Sequence, residues 1–307
     1  MVLWPYPASK LRGMLLKEER FRARILSRNR RKISSMKSSP AQSRLPWLEA
    51  GQAFPPVARA WGERDPVPGL LAGGADLSVA TLEKAYMQGI FPWFSAGQPI
   101  LWWSPDPRMV WSVASFKLHR SLRRVIQSFL TTPGCEVRVD HDFAAVIQAC
   151  ASAPREGQSG TWILPEMQAA YIALHHAGLA HSVETWVDGR LVGGLYCTAI
   201  GHAVFGESMF ARQTDASKIA LAALVALCRS QGVRLIDCQQ NTPHLASLGA
   251  GEMPREVFCA QVAQAANQPP LHWSANSIEW KQLDARWAHL ASSESPASTA
   301  QPEPTSA

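Results

Sequence analysis

Apolar residues recur three and four apart along 216–230, where Ile219, Leu221, Leu224, Val225, Leu227 and Cys228 mark one long helix and Gly232 supplies a left-handed stop. The same spacing predicts a helix after Ser78, a good N-cap, with Val79, Leu82, Ala85 and Tyr86 inward and Gly89 at its end. A third runs over 117–130 through Leu118, Leu122, Val125, Ile126 and Phe129. Further helices are read over 141–151 and 165–177, where Pro165 suits a first turn and Gly178 a stop. Strand-like runs occupy 181–187, 190–200 and 202–211, with Asp188-Gly189 as the turn joining the first two in an antiparallel meander. After the 216–230 helix come a buried strand over 233–239 and a short helical run over 243–248.

The pattern changes at Thr131, which is taken as a domain boundary. The expected fold class is α+β. Its parts are a disordered basic leader over 1–35, an N-terminal domain over 36–130, a catalytic domain over 131–287 and a disordered Ser/Pro/Ala/Glu tail over 288–307. Within the first domain, 36–75 is rich in Pro, Gly and Ala and reads as irregular structure. The aromatic runs 89–94 and 100–108, punctuated by proline, suit either a core wedge or a pocket wall.

Composition refines this picture. The 47% hydrophobic content of the 307 residues supports well-packed cores, and no apolar run is long enough to span a membrane. The net charge of +6 belongs to the start: residues 1–35 carry ten Lys/Arg against Glu18 and Glu19, so the remainder is slightly acidic. That Arg-rich leader lacks the apolar core of a signal peptide; it suits an organelle transit peptide or, more plainly, a translated stretch upstream of a start at Met36. The six cysteines include no Cys-x-x-Cys pair and read as reduced thiols of a cytoplasmic protein, and no metal-ligand spacing is present.

Candidate chemistry sits inside one strand and at the C-terminal end of another. Glu207 lies between Phe205 and Met209, a costly place to bury a carboxylate without a partner. Asp237 and Gln239, two apart on the next strand, are expected to point to one side. A strand–helix–strand unit with polar groups at its strand ends is a common ligand site. On the 117–130 helix, Arg120, Arg123 and Arg124 cluster without an acidic neighbour on that helix, which suits either a phosphate-backbone contact or an ordinary solvated face.

The order of elements resembles a GNAT-like N-acyltransferase fold with a mixed, mostly antiparallel sheet. That fold usually receives the pyrophosphate of acyl-CoA on a glycine-bearing loop, but here Asp215 stands at the first glycine position and disfavours that donor. More specifically, the runs at 69–78 (GLLAGGADLS), 89–94 (GIFPWF), 100–109 (ILWWSPDPRM), 160–163 (GTWI), 180–184 (AHSVE), 191–196 (LVGGLY), 205–210 (FGESMF), 215–218 (DASK), 235–239 (LIDCQ) and 247–250 (SLGA) closely resemble the leucyl/phenylalanyl-tRNA–protein transferase family, in family order.

The resemblance implies an aminoacyltransferase without cofactor or metal that moves Leu or Phe, with Met a further option, from aminoacyl-tRNA to protein N-termini beginning with Arg or Lys. The product would be marked for degradation through an N-degron pathway, and the enzyme would be a cytoplasmic monomer. It carries the aminoacyl pocket onto Tyr86, Trp93, Trp162, Tyr171, Met209 and Ile236, with Leu195 at a methionine position and Val204 and Cys228 at positions often aromatic in relatives. It carries the tRNA patch onto Arg120, Arg123 and Arg124, with Gln127 at a further, usually basic position. Gln239 would aim the attacking amine, Asp237 would orient Gln239 or bear the amine's charge, and Glu207 would fix the amine or pair with the acceptor's basic side chain. An acyl-CoA-dependent N-acyltransferase and a non-catalytic tRNA-binding adaptor are the competing expectations.

Overall fold

The computed structural model describes residues 45–153, 161–241, 245–246 and 249–288. The leader over 1–35, the tail beyond 288 and most of the 243–248 run lie outside the described residues. Two sheets carry the chain. The smaller has the order β1-β2-β4-β3, from β1 (Trp47–Leu48), β2 (Leu70–Gly74), β3 (Phe91–Pro92) and β4 (Leu101–Trp103). The larger has seven strands: β5 (Arg108–Ser112), β6 (Cys135–Val139), β7 (Ala180–Val187), β8 (Arg190–Ile200), β9 (Ala203–Ala211), β10 (Leu235–Gln239) and β11 (Gly251–Met253), ordered β11-β5-β10-β9-β8-β7-β6. Only the β9–β10 pair is parallel within it, so the sheet is mixed and mostly antiparallel, as expected for this α+β chain. The expected hairpin forms at Asp188 and Gly189, both at positive φ (48° and 68°), the conformation a two-residue turn requires.

Six α-helices are described: α1 (Val79–Met87), α2 (Arg120–Thr131), α3 (Phe143–Ser152), α4 (Pro165–His176), α5 (Ala216–Ser230) and α6 (Arg255–Ala266). The Ser78 side chain accepts from Thr81 N–H and caps α1. Helix α5 matches its expected span and is buried along almost its whole length, from Ile219 to Cys228. Its approach to the sheet depends on Gly193, where a Cβ would stand 2.4 Å from that of Ala216.

The sheet divides two apolar cores. One joins α1, α3, α4 and α6 to the small sheet through Tyr86, Trp93, Trp102, Trp162, Tyr171, Phe205 and Phe258. The other lies under α5 and α2 and holds Met109, Trp111, Leu195, Val204, Leu221, Leu224 and Ile236.

Several elements differ from expectation. Segment 70–74, read as irregular, is strand β2, because its glycines let Trp47 pack against the backbone: a Cβ on Gly73 would meet that indole at 2.9 Å. Strand β5 was hidden by Arg108, a charged residue at the head of a buried run. It precedes residue 131 yet pairs with β10 and β11 in the large sheet. Strand β6 is a half-exposed edge, and α6 buries only Phe258 and Val262, too few to print a clear helical stripe.

Candidate active site

Two register shifts build the site. On β9, Gly206 pairs with Cys197 and Ser208 with Tyr196, so Glu207 is an extra residue with no partner across the ladder. On β10, Asp237 pairs with Val110 and Gln239 with Met109, leaving Cys238 as the extra residue. The parallel pairing of β9 with β10 ends at Phe205–Asp237, directly before both shifts. Strands that lose their ladder there free side chains to meet across the gap.

Glu207, Asp237 and Gln239 do meet. The Gln239 side-chain amide donates from Nε2 to Glu207 Oε2 at 3.1 Å. Asp237 acts on the backbone of Gln239 instead of its side chain: Oδ1 accepts the Gln239 N–H at 2.9 Å. The alternation expected to keep Asp237 and Gln239 on one side is broken by the extra Cys238 and by Gln239 itself, whose φ of 62° is left-handed.

Glu207 is enclosed by further donors. Tyr86 donates to Oε1 at 2.6 Å, Tyr171 donates to Oε2 at 3.3 Å, and the two phenol oxygens are themselves in contact. Burial raises the Glu207 carboxyl to about 7, and the Asp237 charge pushes the same way, against the hydrogen bonds from Tyr86, Gln239 and Tyr171. Both phenols are raised well above their ordinary range, first by burial and then by Glu207. Glu207 therefore exchanges a proton near neutral pH while the tyrosines keep theirs.

Arg108 is a member that the sequence reading did not single out. Its guanidinium is fully buried and grips Asp237 with two bonds, Nε to Oδ1 at 2.8 Å and Nη2 to Oδ2 at 2.6 Å. Nη1 donates to the Gly89 carbonyl at 3.1 Å, and the rings of Phe91 and Phe258 flank the group at 4.7 and 4.6 Å. Its presence in the 100–109 run was a usable signal, since an arginine inside a buried strand demands a carboxylate.

A narrow cleft of ≈ 50 Å³ opens beside these groups, with Glu207 and Asp237 on one wall. Leu195, Met209 and Ile236, which the resemblance assigns to the aminoacyl pocket, line it together with Leu221, Leu224, Trp111 and Leu245, which it does not. Tyr86 and Tyr171 stand behind Glu207 and hold it, while the buried Trp93 and Trp162 sit in the same core as those tyrosines, outside the cleft lining. Val204 is buried next to Ile236 in register and borders a larger cavity of ≈ 360 Å³ under α6, which reaches this site at Asp237. Among the described residues no group of His, Cys, Asp and Glu could hold a metal ion.

On α2, Arg120 and Arg124 are exposed, as a phosphate contact needs. Arg123 is engaged from the C-terminal segment, its Nε 2.8 Å from Asp284 Oδ2. Hydrogen bonds from Arg286, aided by Arg123, hold that aspartate down to about 2. Among the described residues the cluster thus offers two unengaged cations, Arg120 and Arg124, where three were expected.

The sequence model for the leucyl/phenylalanyl-tRNA protein transferase matches residues 110–263, and that for its N-terminal domain matches 75–106. A leucyl/phenylalanyl-tRNA–protein transferase of Albidiferax ferrireducens is 61% identical over 239 residues, 78% of this chain and 94% of the relative. Its namesake in a Polaromonas species shows the same identity and coverage, and that of Leptothrix cholodnii is 56% identical over 246 residues, 79% of this chain and 96% of the relative. With this extent of matching, the chain belongs to the leucyl/phenylalanyl-tRNA–protein transferase family of aminoacyltransferases.

Proposed function

We propose that the protein transfers leucine or phenylalanine from the 3′ ester of its tRNA to the α-amine of proteins whose first residue is Arg or Lys, labelling them for degradation. Acting as a monomer in the cytoplasm, it needs no cofactor, because the ester is already activated. The observation that carries this reading is the orientation of Gln239. Its amide nitrogen is committed to Glu207, so its carbonyl oxygen is the group left to accept from an incoming amine.

An N-terminal amine has a pKa of about 7.7–8.0, so roughly a tenth or more is neutral at pH 7. Gln239 aims the amine's lone pair at the ester carbonyl, and holding the nitrogen ~3 Å from that carbon supplies most of the acceleration. The new bond is the amide C–N; the bond broken is carbonyl carbon to ribose oxygen, which leaves with the electron pair and ends with the proton. Gln239 is too weak a base to keep that proton. Glu207, poised at about 7 on the wall of the cleft, is suited to hold it on the way.

The apolar cleft excludes charged aminoacyl groups by desolvation and separates aliphatic ones by ~1–3 kcal/mol per methylene. The parting of parallel strands β9 and β10 at the site supports a GNAT-like arrangement. An acyl-CoA donor is disfavoured by Asp215, which sits at the N-terminus of α5 with its carboxylate 2.7 Å from Lys218 Nζ, where a phosphate would otherwise lie. The test supplies the purified protein with labelled leucyl-tRNA, acetyl-CoA and an Arg-starting peptide. Label entering the peptide supports the reading; label remaining on tRNA, with acetyl-CoA consumed in its place, overturns it.

A further inference from the structure

We propose that Glu252 reads the basic side chain of the acceptor's first residue; this rests on the acceptor class proposed above. Neither acidic group of the reacting cluster is free for that task. Glu207 is only 4% exposed and already takes bonds from Tyr86, Tyr171 and Gln239, while Asp237 is 2% exposed and neutralised by Arg108. A long cation entering with the amine needs a carboxylate at the surface, a side chain's length from Gln239.

The sheet register supplies one. Met109 on β5 pairs with Gln239 on β10 and also with Glu252 on β11, so the three residues form one row across adjacent strands. Two strand spacings put the ends of that row ~10 Å apart. Residues opposite each other in antiparallel strands share a face. Met109 belongs to the core that contains Leu195, Leu224 and Ile236, so Glu252 stands on the face of the aminoacyl cleft. Its neighbour Met253 packs into the other core, as alternation requires.

Glu252 is exposed, and its Oε1 accepts from Asn241 Nδ2 at 2.9 Å, which ties the carboxylate to the segment two residues past Gln239. Among the described residues no Lys or Arg pairs with it. Asp106, before strand β5, is engaged by Arg255 through a backbone hydrogen bond at 3.0 Å and an ion pair at 3.9 Å. An α-amine held by Gln239 thus leaves an Arg or Lys stem able to reach along the row to Glu252.

The experiment measures transfer of leucine from leucyl-tRNA to two peptides that differ only at the first residue, Arg or norleucine. In Glu252→Gln, KM for the Arg peptide is expected to rise about fivefold, the scale of an exposed ion pair. The norleucine peptide, the KM for leucyl-tRNA and the behaviour of Asp106→Asn stay at wild-type values. Glu252→Lys should in addition favour a Glu-starting peptide over the Arg one. If the wild type prefers Arg and Glu252→Gln keeps that preference, Glu252 is not the reader. If the wild type itself does not distinguish the peptides, the acceptor class fails, and the role of Glu252 with it.

Discussion

The two oxygens of Asp237 are held by the Nε and Nη2 of Arg108 at 2.8 and 2.6 Å, and the oxygen nearer Nε also receives the backbone N–H of Gln239. A charge pair at the centre of a core is a weak source of stability when intact, but breaking it from one side strands a buried charge. Arg108→Met and Asp237→Asn should each cost about 3–5 kcal/mol in urea unfolding. The double variant should lose clearly less than the two single losses added together. Strict additivity would mean that the pair does not act as a unit.

Glu207 gives the fold a pH dependence of definite sign. Its carboxyl titrates at about 7 in the folded chain against 4.5 ordinarily, so the folded state holds the proton more tightly. The stability this group contributes is full below about 4.5 and is lost as pH rises through about 7. Between pH 5 and pH 8 the loss is roughly 3 kcal/mol. Glu207→Gln should remove most of that dependence in thermal or urea melts; a variant as pH-sensitive as the wild type over this range would assign the titration elsewhere.

The cleft predicts a change in donor preference. Leu224 and Leu221 reach it from α5 opposite Leu195 and Met209. Leu224→Ala should enlarge it and raise kcat/KM for phenylalanyl-tRNA relative to leucyl-tRNA by about 10-fold, within the 1–3 kcal/mol that apolar pockets command. An unchanged ratio would place the aminoacyl side chain somewhere other than this cleft.

Arg120 and Arg124 are the exposed cations of α2. Replacing both with Ala should weaken tRNA binding and reduce the slope of log affinity against log salt by roughly 1–2. Arg123→Ala should have the smaller effect on that slope, since Asp284 already engages it. A slope unaffected by the double change would return these residues to an ordinary solvated surface.

The sequence displays this architecture unevenly. Helix α5 and the β7–β9 meander were legible because long apolar periods and the Asp188-Gly189 turn leave little choice. The gathering of Glu207, Asp237 and Gln239 into one cluster was legible from the motif runs. Neither register shift was, because an extra residue in a strand changes facing without changing composition. That is why Gln239 reaches Glu207 while Asp237 serves its backbone. The resemblance put Tyr86 and Tyr171 in the aminoacyl pocket; that their hydroxyls hold the Glu207 carboxylate shows only in the folded chain, since a tyrosine's polar end has no local sequence signature for its partner. The partner of Arg108 lies 129 positions away in sequence, and no local pattern encodes such a pairing.

The proposed reaction depends on the Gln239 carbonyl aiming the attacking amine. Single-turnover transfer of labelled leucine from leucyl-tRNA to an Arg-starting peptide tests this most directly when wild type is compared with Gln239→Ala. The expected result is a rate lower by roughly 10²-fold with leucyl-tRNA affinity unchanged. Transfer at the wild-type rate, or a loss wholly accounted for by weaker tRNA binding, would contradict it.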